Sequence, residues 1–281
     1  MSYYWIVLFT FLISFFLWES IFLFPLKMIA VLIHELWHSL VAIFFNIERV
    51  EFHIFPDETG KTILKGSVPL FGFVLISIAG YIGTLFTGSF FLRFFLQENL
   101  EDLVFFLFSM MLLVISFVLP PIFSLGFYVS LGWALLFGIT YILNKKISKI
   151  LFTILLSFLI FYSFYDLFDF SKNPYQSDLG ILYKYLQKNN YYSGDFKKFL
   201  FFSSLFIVLV NIYIFYKLIL SLIFTNITKE ETLNHTQNNL QENIQEQNQN
   251  SKTLTSENQT QEISINQKEI DQIVKSIDRG L

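Results

Sequence analysis

The chain has 281 residues, of which 54% are hydrophobic and 37 are Phe, while only 15% are charged and the formal net charge is −3. With a mean hydropathy of +0.56, it carries more apolar surface than a soluble domain of this size can cover, which points to an all-α polytopic membrane protein. The charge pattern has no basic arm or stripe and so gives no footprint for nucleic acid, and the absence of cysteine excludes disulfides and thiolate metal ligands.

A hydrocarbon core of about 30 Å needs about 20 apolar residues of helix. Residues 1–24 lack a basic leader and a small-residue cleavage site, so they read as a first membrane helix instead of a removed signal peptide. Spans are expected near Tyr4–Phe24, Met28–Phe45, Val68–Leu96, Leu103–Leu119, Ile122–Leu143, Ile150–Phe170 and Phe196–Phe224. Seven is the preferred count within a range of six to eight. Pro120-Pro121 divides a run otherwise too long for one span, because consecutive prolines break the helical ladder. Basic residues fall on both sides of a seven-span arrangement: Lys145, Lys146 and Lys149 oppose Arg49, Lys61, Lys65, Lys172, Lys184 and Lys188. The positive-inside tendency therefore selects no orientation.

The second span contains His34-Glu35-Leu36-Trp37-His38. Residues four apart project from one side of a helix, so both imidazoles can face one zinc ion, with Glu35 beside them as general base and acid for a water molecule. Ionisable groups inside a membrane span are costly and mark a functional site by default. Two histidines do not complete a catalytic zinc site. Asp166, Asp169 and Asp178 are the candidate third ligands, with His53 and Asn173 as outsiders; His53 reads more simply as a surface or structural histidine. Asp178 also stands where an aspartate can cap a short helix expected over 179–187.

After the second span, residues 50–55 alternate in strand fashion, Pro56-Asp57-Glu58-Thr59-Gly60 supplies a turn, and Lys61 to Leu64 return, giving a small β-hairpin. An exposed strand edge there could capture an extended substrate segment by β-augmentation. Gly80, Gly83, Thr84 and Gly88 in the third span allow close helix packing. The many Phe residues read as lipid-facing bulk. From residue 226 the composition turns to Asn, Gln, Glu, Ser and Thr, so 1–225 is expected to be the membrane domain and 226–281 a disordered tail. Within that tail, Ile263, Ile265, Ile270, Ile273, Val274 and Ile277 could line a short amphipathic helix.

An HExxH motif in a membrane helix, followed by a strand-like segment and a late aspartate, resembles the site-2 protease family of intramembrane zinc metallopeptidases. The likeness is closest to a compact bacterial branch without PDZ or CBS domains. It is carried by His34 to His38, the hairpin region Arg49 to Ser67, Ala79-Gly80-Tyr81 and Ser177-Asp178, and it extends from about Met28 to Tyr185. The family's second motif pairs Asn and Pro with a downstream Asp-Gly; here Asn173-Pro174 precedes Asp178, and Leu179 separates it from Gly180. The resemblance implies zinc held by His34, His38 and Asp178, with Glu35 catalytic. It also implies a membrane-protein substrate cleaved in or near the bilayer, and residence in a bacterial inner membrane. The rival expectation is a catalytically silent scaffold or transporter-like protein whose His/Glu cluster binds metal or protons.

Overall fold

The computed structural model describes residues 3–96, 100–167 and 174–221, together with positions 266, 269, 270 and 274. Residues 1–222 form one compact unit and 223–281 another. In the second unit Asn266, Glu269, Ile270 and Val274 are helical and exposed. The other residues of the expected isoleucine stripe lie outside the described residues, as do Asp169 and Asn173.

Among its described residues, the regular structure of the first unit is helical apart from one hairpin. Its elements are α1 (Tyr3–Phe16), α2 (Phe24–Phe44), β1 (Arg49–Ile54), β2 (Gly60–Lys65), α3 (Leu70–Phe95), α4 (Glu101–Val118), α5 (Leu125–Leu143), α6 (Lys145–Tyr165) and α7 (Asp178–Lys188). A further helix, α8, covers Phe196–Ser221. Among the described residues, six helical segments are long and apolar enough to cross a membrane: Ile21–Phe44, α3, α4, α5, α6 and α8.

The expected first span, Tyr4–Phe24, is instead divided. α1 has 14 residues, about 21 Å at 1.5 Å per residue, short of the ~30 Å hydrocarbon core. The break follows from Ser20, whose hydroxyl accepts from the Phe22 amide and starts a 3-10 turn over Ile21–Leu23 that leads into α2. Pro25 then occupies the first turn of α2, where its missing N–H removes no helical bond. Pro120-Pro121 separates α4 from α5 as expected, and Ser124 caps α5 by accepting from the Phe127 amide.

The basic cluster Lys145, Lys146 and Lys149, which falls between the expected spans 122–143 and 150–170, lies in the first two turns of α6. Asn144 caps that helix through the amides of Lys146 and Ile147. Lys145 pairs with Asp102 at 3.3 Å, and Lys149 pairs with Glu101, so both lysines are engaged by the first turn of α4.

Helices α2, α3 and α6 form the centre, with the other helices around them. Ile29, Ala30, Leu32 and Ile33 of α2 are wholly buried, as are Phe152, Leu155, Leu156 and Phe158 of α6. Several phenylalanines contradict the lipid-facing expectation. Phe95, Phe105, Phe108, Phe137 and Phe152 are buried and meet edge to face, a geometry favoured by the ring quadrupoles. Others do face outward, including Phe106, Phe117, Phe201 and Phe202. So large an apolar exterior suits lipid as its solvent.

The hairpin pairs Arg49 with Lys65 through to Ile54 with Gly60 in antiparallel register. Phe52 is wholly buried and Ile54 nearly so, both within the main core, which fixes the hairpin face that meets the helices. Its turn is tied to α2 by Glu58, which accepts from Lys27 at 2.8 Å. Lys27 is 4% exposed and also lies over the Trp18 ring at 4.7 Å, so its charge is compensated on two sides.

Candidate metal centre

His34 and His38 stand one turn apart on α2, at the helix's most buried stretch. The residue that meets both comes from the start of α7. Oδ2 of Asp178 is 3.1 Å from Nε2 of His34 and 3.2 Å from Nε2 of His38. Ligands held about 2.0–2.1 Å from a tetrahedral zinc are separated by about 3.3 Å, so the spacing of Asp178 from each imidazole suits ligands of one ion. Among the described residues these three are the group of His, Asp and Glu side chains close enough to hold a metal, their donor atoms lying within 4.8 Å of one another.

Asp178 is not the helix cap. Ser177 takes that role: its backbone is extended and its hydroxyl accepts from the Gly180 amide at 3.2 Å. Asp178 is thereby the first helical residue, and its carboxylate is left to turn toward α2. Burial works against charge on Asp178, but His38 and His34 outweigh it and hold the carboxyl well below the usual carboxylate range. The ionised form is the one that ligates metal.

The remaining ring nitrogens also lie close to oxygens. Nδ1 of His38 lies 2.5 Å from the Ile76 carbonyl oxygen, the arrangement of a ring N–H donating to backbone and leaving Nε2 free for a metal. Oδ2 of Asp166 lies 3.2 Å from Nδ1 of His34. Asp166, one of the alternative ligands considered from sequence, therefore sits behind His34, on the far ring nitrogen from Asp178. Such a carboxylate orients an imidazole and raises its basicity. His53 lies in β1 opposite Lys61 and is not part of the group.

Helix α3 closes the other side of the site. A Cβ at Gly80 would overlap the His34 ring, one at Gly83 would overlap the Trp37 indole, and one at Gly88 would crowd Leu156 and Ile160 of α6. The small-residue stripe thus serves two partners, with Gly80 and Gly83 on α2 and Gly88 on α6. Trp37 donates to Thr87 at 2.8 Å along the same seam. Gly80→Ala is expected to displace His34, cost about 1–3 kcal/mol by overpacking and lower the metal content of purified protein. Gly132→Ala, where nothing lies within 4 Å, is the control. Full metal content in Gly80→Ala would contradict this packing.

A cavity of about 560 Å³ opens onto the centre, lined among others by His34, Glu35, Asp178, Tyr81, Lys27 and Trp18. Tyr81 meets the His34 ring edge to face at 4.9 Å. Glu35 is buried, and its Oε2 accepts from the Thr62 hydroxyl at 2.5 Å. Sequence reasoning passed over Lys27 and Thr62, and took Ser177 only as part of the Ser177-Asp178 motif and not as the helix cap. Lys27 had a legible signal, a lone charge in an apolar run, and Ser177 had the residue type that leads at caps.

A family model, Peptidase M50B-like, matches residues 6–225 of the chain. The protein belongs to that family. It is accordingly a multi-pass membrane metallopeptidase of the site-2 protease type, with the His-Glu-x-x-His helix inside the matched region. Comparison with curated proteins and with solved structures gave no match.

Proposed function

We propose that the protein is a zinc-dependent endopeptidase that cleaves membrane-protein segments within or beside the bilayer, with residues 1–225 as the peptidase and 226–281 as an appended tail. The observation that carries this reading is the single carboxylate oxygen of Asp178 lying 3.1 and 3.2 Å from the two HExxH imidazoles. The donor set supports zinc: two imidazoles and one carboxylate, with no thiolate in the chain.

His34 and His38 would hold the ion through Nε2 and Asp178 through Oδ2. When bound, zinc lowers the pKa of a water molecule and polarises the scissile carbonyl. Glu35 is the proton carrier, taking a proton from the attacking water and returning it to the departing amine. Asp166 and the Ile76 carbonyl keep the two imidazoles turned with Nε2 toward the cavity. The cavity suits a short extended peptide, and the neighbouring hairpin offers strand backbone to such a segment. Glu35 distinguishes this reading from a silent scaffold or a transporter, which would need no proton carrier beside a metal ligand set. The family resemblance further supports residence in a bacterial inner membrane.

Purified protein in lipid should cleave a membrane-helix substrate, lose that activity to a chelator and regain it with added zinc. Chelator-resistant cleavage would overturn the zinc assignment.

A further inference from the structure

Glu35 is held by the hairpin as well as by its own helix. Strand β2 places alternate positions 60 and 62 on one face, because side chains in a strand repeat every two residues. Both meet Glu35. At Thr62 the hydroxyl donates to Oε2 of Glu35 at 2.5 Å and lies 3.3 Å from the Glu35 carbonyl oxygen. At Gly60 a Cβ would overlap the Glu35 carboxylate, at Oε1 among other atoms. One position thus supplies a donor to one carboxylate oxygen, and the other leaves room for the second.

The hairpin cannot readily slide away from this contact. Phe52, opposite Thr62, and Ile54, opposite Gly60, are buried in the core. The turn is tied to α2 by the Lys27–Glu58 pair, two helical turns before Glu35. A glutamate side chain has three rotatable bonds, and a proton carrier that drifts by about 1 Å can lose about 100-fold in rate. A hydrogen bond to an ionised acceptor is stronger than a neutral one and directional, so it can select one orientation.

We propose that Thr62 is the positioning residue for the Glu35 carboxylate, so that the β-hairpin is a working part of the active site. The proposal rests on the peptidase reading above. Thr62 leaves Oε2 occupied and directs Oε1 to the proton exchange. The hydroxyl is the operative group, and the methyl is not.

The test uses the full chain in lipid, with Thr62→Val, Thr62→Ser and Glu35→Gln measured side by side. Thr62→Val is expected to lower kcat by about tenfold or more with KM within about twofold, at unchanged zinc content, and Thr62→Ser to recover most of the loss. Independently of turnover, the Glu35 carboxylate stretch is isolated as the infrared difference between each form and its Glu35→Gln counterpart. It should shift in Thr62→Val and return in Thr62→Ser. Wild-type kcat in Thr62→Val, beside an inactive Glu35→Gln, overturns the role of Thr62 and leaves the peptidase reading intact. Equal loss in Thr62→Ser and Thr62→Val overturns it too, since packing would then explain both. Full cleavage by Glu35→Gln removes Glu35 from the chemistry and this proposal with it, absence of cleavage by the wild-type protein overturns the peptidase reading, and an unshifted carboxylate band overturns the contact whatever the activity.

Discussion

Replacing Glu35 by Gln is expected to abolish peptide-bond cleavage while zinc stays bound. Gln keeps the size of the side chain and an oxygen that can still accept from Thr62, so the hairpin contact survives. It cannot carry a proton. Proton transfer by a placed side chain contributes about 10²- to 10⁴-fold to such reactions, so the loss should be at least of that order. The ligands His34, His38 and Asp178 are untouched, and metal analysis should give wild-type zinc. Cleavage within about twofold of wild type would remove Glu35 from the chemistry.

The second large effect is at Asp178. Asp178→Ala deletes the one group among the described residues that meets both imidazoles, at 3.1 and 3.2 Å. Loss of a residue that merely supports a metal ligand weakens binding by about 10- to 100-fold, so loss of a ligand should exceed about 100-fold. Zinc content and cleavage should fall together. Ser177→Ala is the instructive companion, because it removes the cap from the same helix end. It should cost about 1 kcal/mol of stability and leave the zinc donors in place. Zinc titration and thermal unfolding of the two variants separate ligand from cap. Equal zinc affinity in wild type and Asp178→Ala would contradict the ligand role.

That pair also shows where sequence reasoning stopped. His34 and His38 were legible because helical geometry alone aligns residues four apart. The third corner lies 140 residues beyond His38, and no local periodicity reports which aspartate returns to α2. Asp178 and Ser177 both have the chemistry of a cap, and only the backbone at 177, extended where 178 is helical, assigns the roles. Asp166 was equally eligible by residue type, yet it reaches the outer nitrogen of His34. The hairpin was visible from alternation and its turn, whereas its contact with Glu35 was not, since strand periodicity names faces but not what lies against them. The divided first span had a signal in Glu19-Ser20, outweighed by the apolar residues on either side.

The direct test is diffraction from crystals of the wild-type protein, with anomalous data collected at the zinc absorption edge. One strong peak should lie about 2.0–2.2 Å from Nε2 of His34, Nε2 of His38 and a carboxylate oxygen of Asp178, with Glu35 outside the coordination sphere. A peak bound by Asp166 in place of Asp178, or no zinc at the HExxH helix in active protein, would contradict the assignment.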